Sequence, residues 1–193
     1  MLKVSKFLFI FSLCFTGCIY AEQAFFAMGC FWSAESAFQD EASHKPLGGI
    51  NSLTVGYAGG TAKNPTYEDH TGYKETLKID FDPKVISYKQ LLDVFWHNVD
   101  PFDSNGQFCD HGSSYAPVIY YTNTKQQQAA QDYKIKLEES FKQKIPLPIL
   151  AYTTFYPAED YHQNYAIKNS VEYKLYRFGC GRDQRLKEIW IED

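Results

Sequence analysis

The chain reads Gly29-Cys30-Phe31-Trp32-Ser33-Ala34-Glu35 at the point where its hydrophobic pattern changes. Residues 23–28, directly before it, form a short and mostly apolar run that predicts a strand. After it, Phe31, Ala34 and Phe38 follow the spacing of the buried face of a helix. The sequence therefore places Cys30 where a strand leads into a helix.

The position of Cys30 favours a reactive thiol. The first N–H groups of a helix lack partners within the helix and carry a partial positive charge, and both properties favour thiolate over thiol. The thiolate is the nucleophilic form of cysteine. The alternative is a packed core cysteine, because free cysteine is among the most buried residue types. This segment alone leaves both interpretations open.

Length and composition predict one domain preceded by an export signal. The chain has 193 residues, of which 45% are hydrophobic, enough for a single domain with a substantial core. Lys3 and Lys6 precede an apolar stretch over residues 7–15, which is too short for a permanent membrane helix. We therefore expect residues 1–21 to be a signal peptide and residues 22–193 to be an exported domain, periplasmic or secreted.

The end of the signal has two interpretations. Ile19-Tyr20-Ala21 resembles a small-residue cleavage site, whereas Phe15-Thr16-Gly17-Cys18 resembles a bacterial lipobox in which Cys18 would carry the lipid. We expect attachment to a membrane only if Cys18 is lipidated. The exported domain keeps all 23 acidic residues of the chain and is acidic, so we do not expect it to bind nucleic acid.

The cysteine count indicates a reactive thiol rather than a disulfide framework. Two of the five cysteines lie in the export segment, and the domain keeps Cys30, Cys109 and Cys180. An odd number in an oxidising compartment points to a reactive thiol. No two of these three have the close spacing that zinc sites favour, so we expect no metal site.

The order of the elements predicts the fold class. Periodicity predicts helices starting near residues 31, 88 and 124 and strands near residues 23–28, 50–57, 74–81, 116–122 and 149–156. This alternation is typical of an α+β protein, a single-domain ferredoxin-like α/β sandwich with a mixed sheet. The pattern weakens after Tyr161, where we expect an extended C-terminal tail.

One carboxyl group is predicted to be buried. The strand over residues 74–81 alternates strictly, and Glu75 shares its face with apolar residues such as Leu77 and Ile79. A carboxyl group on an apolar face is poorly solvated, which raises its pKa and keeps a proton available near neutral pH. The alternative is that Glu75, near the open end of the strand, reaches water.

Two kinds of chemistry compete for Cys30. A Cys–His hydrolase would use Cys30 as the nucleophile and His162 or His111 as its base. A thiol redox enzyme would attack with Cys30 and resolve the oxidised product with a second cysteine, while carboxyl and phenol groups supply protons. Reduction of an S–O bond requires protonation of the departing oxygen, so a neutral Glu75 among several tyrosines favours the redox class.

Further motifs follow the Cys30 segment in a fixed order. The full set is Gly29-Cys30-Phe31-Trp32, Thr54-Val55-Gly56-Tyr57-Ala58-Gly59-Gly60, Asn64-Pro65-Thr66-Tyr67, Thr71-Gly72-Tyr73-Lys74-Glu75, Phe81-Asp82-Pro83, Phe95-Trp96 and Ala158-Glu159-Asp160-Tyr161-His162-Gln163. In this order the motifs resemble the peptide methionine sulfoxide reductases of the A type, from about Phe25 to His162. The resemblance implies an oxidoreductase that reduces the S epimer of methionine sulfoxide, free or in peptides and proteins, and so repairs oxidised proteins.

The resemblance also implies roles for individual residues. Cys30 matches the nucleophile that attacks the sulfoxide sulfur and becomes a sulfenic acid. Glu75 matches the acid that protonates the sulfoxide oxygen, and Tyr67 and Tyr115 match phenols that hydrogen-bond this oxygen. Asp110 matches a supporting carboxylate.

Four other positions complete the expected site. Phe31 and Trp32 match the apolar pocket that holds the S-methyl group of the substrate. The tail around Cys180 resembles a C-terminal extension whose cysteine resolves the sulfenic acid through an intramolecular disulfide. Cys109 is an additional thiol, for which we expect an inert packed residue, with a second partner for Cys30 as the alternative.

The resemblance further implies how the enzyme is supplied with electrons. We expect no bound cofactor and an external dithiol reductant such as a thioredoxin-like protein. The other partner is methionine sulfoxide itself, in oxidised proteins or peptides. We expect the enzyme to act as a monomer.

Overall fold

The computed structural model describes residues 21–39, 43 and 45–190. The signal and lipobox predictions rest on residues 1–20, including Cys18, and lie outside the described residues. None of the helices formed by the described residues is long and apolar enough to cross a bilayer. The strands are β1 (Glu22–Ala27), β2 (Ile50–Ala58), β3 (Lys74–Phe81), β4 (Gly106–Gln107), β5 (Asp110–His111), β6 (Val118–Tyr121), β7 (Ile149–Ala151) and β8 (Phe155–Pro157); the helices are α1 (Phe31–Ala37), α2 (Tyr88–Trp96), α3 (Thr124–Phe141), α4 (Tyr165–Lys168), α5 (Ser170–Gly179) and α6 (Arg182–Ile189).

A six-stranded mixed sheet forms the centre of the fold, as the sequence predicts. Its strand order is β7-β6-β1-β3-β2-β8. β6 and β7 run parallel, and the other neighbouring strands are antiparallel. β4 and β5 form a separate antiparallel pair beside it. In this register Tyr57 of β2 lies opposite Glu75 of β3.

The helices pack on one face of the sheet and build the main core there. Alternate residues of β1 and β3 point to this face, where α1, α2 and α3 cover them. The opposite face carries a smaller cluster, against which Tyr152 and Phe155 pack. Buried members of the main core include Ala24, Phe26, Phe31, Ala34, Leu77, Ile79, Phe81, Leu91, Phe95, Trp96 and Ala130.

The turn between β1 and α1 depends on a glycine. Gly29 has φ +81°, in the left-handed region that residues with a side chain rarely adopt. A Cβ at this position would lie 2.6 Å from the Cβ of Gln107. Gln107 is fully buried and holds the loop that precedes it, since its amide donates to the carbonyl oxygens of Asp100 and Asp103. The turn places Cys30 at the N-cap of α1.

α2 begins where its sequence predicts. Ser87 is the N-cap, and its hydroxyl accepts from the N–H of Gln90. The Gln90 side chain accepts in return from the N–H of Ser87, at an N···O distance of 2.9 Å, which completes a capping box.

The C-terminal part of the chain differs most from its prediction. The strand predicted over 149–156 is two short strands, β7 and β8, which pair at opposite edges of the sheet. The region after Tyr161 is not an irregular extension but forms α4, α5 and α6. Short elements of this kind carry too few residues for a clear periodic signal.

The helical tail is docked on the body of the protein, as its apolar residues suggest. The Arg182 guanidinium is 2% exposed and donates to the carbonyl oxygen of Asn98 at 2.6 Å and to that of Met28 at 3.4 Å. It also lies 4.4 Å from the centroid of the Phe108 ring, a cation–π distance. Because Met28 ends the strand segment that leads to Cys30, these bonds tie the tail to the turn before α1.

We expect Gly29→Ala to lower the free energy of unfolding more than Gly72→Ala does. Gly72 has a similar φ of +83°, but no atom lies within 4 Å of the position of its missing Cβ. The control should therefore show only backbone strain, about 1 kcal/mol. Gly29→Ala adds the overlap with Gln107, about 2 kcal/mol more. Urea unfolding followed by circular dichroism measures both, and equal losses would show that the close approach to Gln107 is not a constraint.

Candidate active site

Cys30 lies at the junction that the sequence predicts. It follows β1 and precedes the first residue of α1, and its side chain is 6% exposed. Within the described part of the chain it is the free cysteine. The carbonyl oxygen of Cys30 accepts from the N–H groups of Ser33 and Ala34, which fixes the residue at the helix start.

Glu75 is buried beside this helix start. Its side chain is 1% exposed, as expected for a residue on the apolar face of β3. The alternative, that Glu75 reaches water at the end of the strand, is therefore wrong. Its Oε2 accepts from the N–H of Phe31 at an N···O distance of 2.9 Å. Burial raises the pKa of Glu75 to about 8, while the Phe31 hydrogen bond acts in the opposite direction. Glu75 is therefore a neutral acid at neutral pH.

The thiol of Cys30 is held in its protonated form, contrary to the expectation from its helix-start position. Burial is the main cause and the charge of Glu75 the second, and together they raise the pKa of Cys30 to about 12. The hydrogen bond with Tyr176 opposes this shift without overcoming it. The backbone N–H of Trp32 at the helix start also acts to lower the pKa of Cys30, but its effect is smaller than that of burial.

Three tyrosine side chains lie around Cys30 and Glu75. Burial raises the pKa of Tyr67 and of Tyr115, and the charge of Glu75 is the next cause in both cases. Burial also raises the pKa of Tyr176, with the charge of Cys30 second. Because the ordinary pKa of a tyrosine is already about 10, all three phenols are neutral O–H groups at neutral pH. The structure thus brings Tyr67 and Tyr115, both predicted from the sequence, to Cys30 and Glu75.

Tyr176 is a site residue that sequence analysis missed. Its hydroxyl donates to Oδ2 of Asp110 and is in hydrogen-bond contact with the thiol of Cys30. Burial raises the pKa of Asp110, against the effect of the Tyr176 bond and of the nearby Arg182 charge. One sequence feature could have indicated Tyr176: it lies four residues before Cys180, the cysteine predicted to resolve the sulfenic acid.

Cys109 and Cys180 are joined by a disulfide. Their Cα atoms lie 4.8 Å apart, although 71 residues separate them in sequence. Cys109 is exposed and Cys180 partly exposed, so the expectation of an inert packed thiol at Cys109 is wrong. Asp110 lies beside the pair, and the ligand atoms of the three residues are within 4.8 Å of one another. The two sulfurs are bonded to each other and are not available to a metal in this state.

Two aromatic residues begin α1. Phe31 is fully buried in the main core. Trp32 is partly exposed, and its ring stacks on Tyr165 with centroids 3.7 Å apart. The indole N–H of Trp32 donates to Nδ1 of His162 at 3.0 Å. The structure therefore fixes the orientation of Trp32 from two sides.

Neither of the two candidate bases, His162 and His111, is among the groups that shift the pKa of Cys30. Nδ1 of His162 accepts from Trp32, and burial lowers the pKa of His162, so the ring is neutral. His111 is exposed. The groups with the largest effects on the pKa of Cys30 are carboxyl, phenol and backbone groups. This environment is that of a thiol next to proton donors rather than of a Cys–His hydrolase.

Glu159 organises the loop that carries Tyr67. Its Oε2 accepts from the Tyr57 hydroxyl at 3.0 Å, and its Oε1 accepts from the N–H of Tyr67 at 2.9 Å. Although burial acts to raise the pKa of Glu159, these hydrogen bonds hold it below its usual value. The negative carboxylate of Glu159 therefore holds the loop that carries Tyr67 against β2.

Comparison with known proteins agrees with this geometry. The family model described as peptide methionine sulfoxide reductase matches residues 22–193. The peptide methionine sulfoxide reductase MsrA of Bacillus licheniformis is 44% identical over 175 residues, which cover 88% of this chain and 93% of that protein.

Two solved structures are also similar. Reduced Mxr1 from Saccharomyces cerevisiae has a TM-score of 0.71 and 28% identity, covering 78% of this chain and 86% of that one. Mxr1 in complex with Trx2 has a TM-score of 0.53 and 21% identity, covering 76% of this chain and 85% of that one. The second similarity concerns the fold alone.

Proposed function

The chain belongs to the peptide methionine sulfoxide reductase family, and on that premise we propose that it reduces the S epimer of methionine sulfoxide, free or in peptides and proteins, to methionine. The observation that carries the proposal is the neutral carboxyl group of Glu75, buried at the same helix start as Cys30. A sulfoxide needs both a nucleophile at sulfur and a proton at oxygen. This pair supplies both.

The first step transfers oxygen from the substrate to Cys30. The Cys30 sulfur attacks the sulfoxide sulfur while Glu75 gives its proton to the sulfoxide oxygen. The thiol proton of Cys30 then returns to the Glu75 carboxylate, because the thiol is protonated at neutral pH. The attack forms a bond between the two sulfurs. As the protonated oxygen then bonds to the Cys30 sulfur, the S–O bond of the substrate and the new S–S bond break, and the products are methionine and the sulfenic acid of Cys30. Glu75 ends the step in its starting form.

Tyr67 and Tyr115 would hold the oxygen during this step. As neutral O–H groups near Glu75 they can donate to the oxygen as negative charge develops on it. Tyr176 would orient the Cys30 thiol, with Asp110 holding its hydroxyl. These donors are fixed before the substrate arrives, which is the condition for effective stabilisation of a transition state.

The arrangement also gives a reason for stereoselectivity. The sulfoxide sulfur carries an oxygen, a methyl group and the side-chain carbon of methionine. If the oxygen points to Glu75 and the methyl group to the partly exposed ring of Trp32, attack by Cys30 leaves one direction for the third substituent. The opposite epimer would exchange methyl and oxygen, placing a polar atom on aromatic rings without a hydrogen bond.

Resolution of the sulfenic acid uses the two remaining thiols. Cys180 attacks the Cys30 sulfenic acid, releases water and forms a Cys30–Cys180 disulfide. Cys109 then attacks Cys180, which forms the Cys109–Cys180 disulfide and returns Cys30 as a thiol. The observed Cys109–Cys180 bond beside a free Cys30 is the expected product of this second exchange.

The path of Cys180 to Cys30 is short in the fold. Tyr176 and Cys180 are four residues apart, at the spacing of one helix face, and the Tyr176 hydroxyl already contacts Cys30. Gly181, next to Cys180, gives the backbone freedom at the end of α5. These two exchanges transfer the disulfide from the buried Cys30 to the exposed Cys109.

An external dithiol protein then reduces the exposed disulfide, and no bound cofactor is needed. The similar yeast Mxr1 has been solved in complex with Trx2, which supports a thioredoxin-like donor here. We further propose that residues 1–21 direct export to the periplasm or medium, with a membrane anchor only if Cys18 is lipidated. The proposed enzyme acts as a monomer.

Without reductant, we expect the prereduced enzyme to release two methionines per enzyme from the S epimer of a methionine sulfoxide peptide, because the relay returns Cys30 as a thiol once, and none from the R epimer. Chromatography of the quenched mixture measures both. Cys30→Ser should release no methionine while keeping its circular dichroism spectrum, because serine is nearly isosteric but far less nucleophilic. Methionine release by Cys30→Ser, or equal release from both epimers, would contradict the proposal.

Disulfide mapping after that reaction tests the order of the thiols. The prereduced parent enzyme should yield Cys109–Cys180, whereas Cys109→Ser should stop at Cys30–Cys180 because the second exchange lacks its thiol. Cys180→Ser should complete the first turnover and leave the sulfenic acid, which a dimedone adduct on Cys30 reports. A Cys30–Cys109 disulfide in the parent enzyme, with Cys180 reduced, would reverse the assignment of the two thiols.

A further inference from the structure

The fold brings two cysteines and a carboxyl group together as possible metal ligands. The Sγ atoms of Cys109 and Cys180 and a carboxylate oxygen of Asp110 all lie within 4.8 Å of one another. The Cα atoms of the two cysteines are 4.8 Å apart. Because 71 residues separate these cysteines in sequence, their spacing along the chain gives no sign of the arrangement. We call the three residues the Cys–Asp–Cys group.

The carboxyl group of Asp110 is held so that one oxygen lies beside the cysteines. Its Oδ2 accepts the hydrogen bond from the Tyr176 hydroxyl. Its Oδ1 lies 3.9 Å from Sγ of Cys109. Carboxylates that bind metals are themselves oriented by hydrogen bonds of this kind. The Tyr176 bond therefore leaves Oδ1 of Asp110 available as a third ligand next to the two sulfurs.

The charge of the Cys–Asp–Cys group suits a divalent cation. Two thiolates and one carboxylate carry three negative charges, of which a divalent ion neutralises two. Burial raises the pKa of Asp110, whereas the Tyr176 hydrogen bond and the charge of Arg182 act against this shift. Nε and Nη1 of Arg182 are buried and make no hydrogen bond within the described part of the chain. This buried cation can balance the remaining negative charge.

The Cys–Asp–Cys group is accessible from solvent. Cys109 is exposed, and Asp110 and Cys180 are partly exposed. A zinc site with three protein ligands keeps a fourth position for water, which solvent can supply here. Thiolate ligands select soft or borderline ions such as Zn²⁺, whereas Mg²⁺ and Ca²⁺ take oxygen ligands. The ligand types therefore favour Zn²⁺.

We propose that the reduced enzyme binds one Zn²⁺ ion through Cys109, Asp110 and Cys180. A dithiol reductant first reduces the Cys109–Cys180 disulfide and itself becomes a disulfide, so that two electrons and two protons pass to the cysteines. The ion then bonds to both sulfurs and to Oδ1 of Asp110, and each thiol releases its proton to solvent. In the oxidised enzyme the two sulfurs are bonded to each other, so the site exists in one redox state only.

A bound ion stops the catalytic cycle after the first methionine. This consequence rests on the proposed function, in which Cys180 attacks the sulfenic acid of Cys30 and Cys109 then attacks Cys180. Zinc holds both of these sulfurs through the electron pairs that the attacks need. Cys30 and Glu75 are not part of the Cys–Asp–Cys group, so the first reduction proceeds. Zinc is thus a reversible inhibitor of recycling and not a cofactor of the reaction.

Calorimetry with Zn²⁺ tests the site without any use of activity. The prereduced enzyme, freed of reductant, should bind one ion per chain with a Kd of about 1 μM or tighter. About two protons should be released per ion, because ordinary thiols are protonated at neutral pH. Titrations in buffers of different ionisation enthalpy count these protons. Mg²⁺ should not bind, because it takes oxygen ligands.

Four variants locate the ion. Loss of a residue around a metal site costs about 10–100-fold in affinity, and a direct ligand should matter at least as much. Cys109→Ser and Cys180→Ser should each weaken binding at least about 100-fold, and Asp110→Asn at least about tenfold. Cys30→Ser is the matched control, because it removes a thiol outside the Cys–Asp–Cys group, and it should bind Zn²⁺ like the parent enzyme. Circular dichroism verifies that each variant is folded.

Three calorimetric results would overturn the site. The first is equal affinity of Cys109→Ser and the parent enzyme, and the second is loss of binding in Cys30→Ser. The third is tight binding by the oxidised parent enzyme, in which the Cys109–Cys180 disulfide leaves no thiolate for the ion.

Methionine release tests the effect of zinc on the cycle. Without reductant, the prereduced parent enzyme should release two methionines, but only one when it is saturated with Zn²⁺, and dimedone should then label Cys30. Addition of EDTA should restore the second methionine. Cys109→Ser lacks the second exchange and should release one methionine with or without Zn²⁺.

The remaining outcomes separate the zinc site from the proposed function. Two methionines from the zinc-saturated parent enzyme would show that the ion does not hold the resolving thiols, and none would place the ion on Cys30. Either result would overturn the proposal. A parent enzyme that releases no methionine in the absence of Zn²⁺ would refute the reductase function, and the calorimetric results would then decide the zinc site alone.

Discussion

The hydrogen bond from the N–H of Phe31 to the carboxyl group of Glu75 joins the sheet to the helix that carries the nucleophile. It gives a buried acid a partner, without which the burial of Glu75 would cost several kcal/mol. Because a single N–H does not offset the loss of solvation, the pKa of Glu75 remains raised to about 8. Burial of the same helix start also keeps the thiol of Cys30 protonated, with the charge of Glu75 as the second cause. Both reacting groups thus begin with their protons in place.

The helical tail contributes the rest of the site. Arg182 anchors it to the strand end before Cys30, through the carbonyl oxygens of Met28 and Asn98. From this anchor α5 directs Tyr176 towards Cys30 and places Cys180 next to Cys109. One segment therefore supplies a phenol in contact with the Cys30 thiol and the cysteine that we propose to resolve the sulfenic acid. Tyr176, which contacts the buried Cys30, and Cys180, which is bonded to the exposed Cys109, are less than two helical turns apart.

Local patterns predict the strand-to-helix turn at Cys30, the inward orientation of Glu75 on its strand and the start of α2, because each depends on residues close in sequence. The family motifs identified Tyr67, Tyr115 and Asp110. The structure brings all of these together. The helices of the tail, the role of Tyr176 and the Cys109–Cys180 bond were not predictable in this way, since they arise from packing between segments far apart in sequence, 71 positions for Cys109 and Cys180 and 154 positions for Met28 and Arg182. The effect of the helix start on the Cys30 thiol was predicted in the wrong direction because burial, which raises its pKa most, depends on the packing of the whole site.

The pH dependence of the first methionine release, measured by rapid quench in the prereduced parent enzyme and in Glu75→Gln, tests the central claim most directly. Glu75 must be protonated to act, so the parent rate should be constant below about pH 7 and fall as the pH rises through about 8. Glu75→Gln should be slower by about 10²–10⁴-fold, the usual effect of losing a general acid, and should lose this decline. A parent rate that rises through pH 8, as expected if a preformed thiolate carries the reaction, or a glutamine variant within threefold of the parent, would contradict the account.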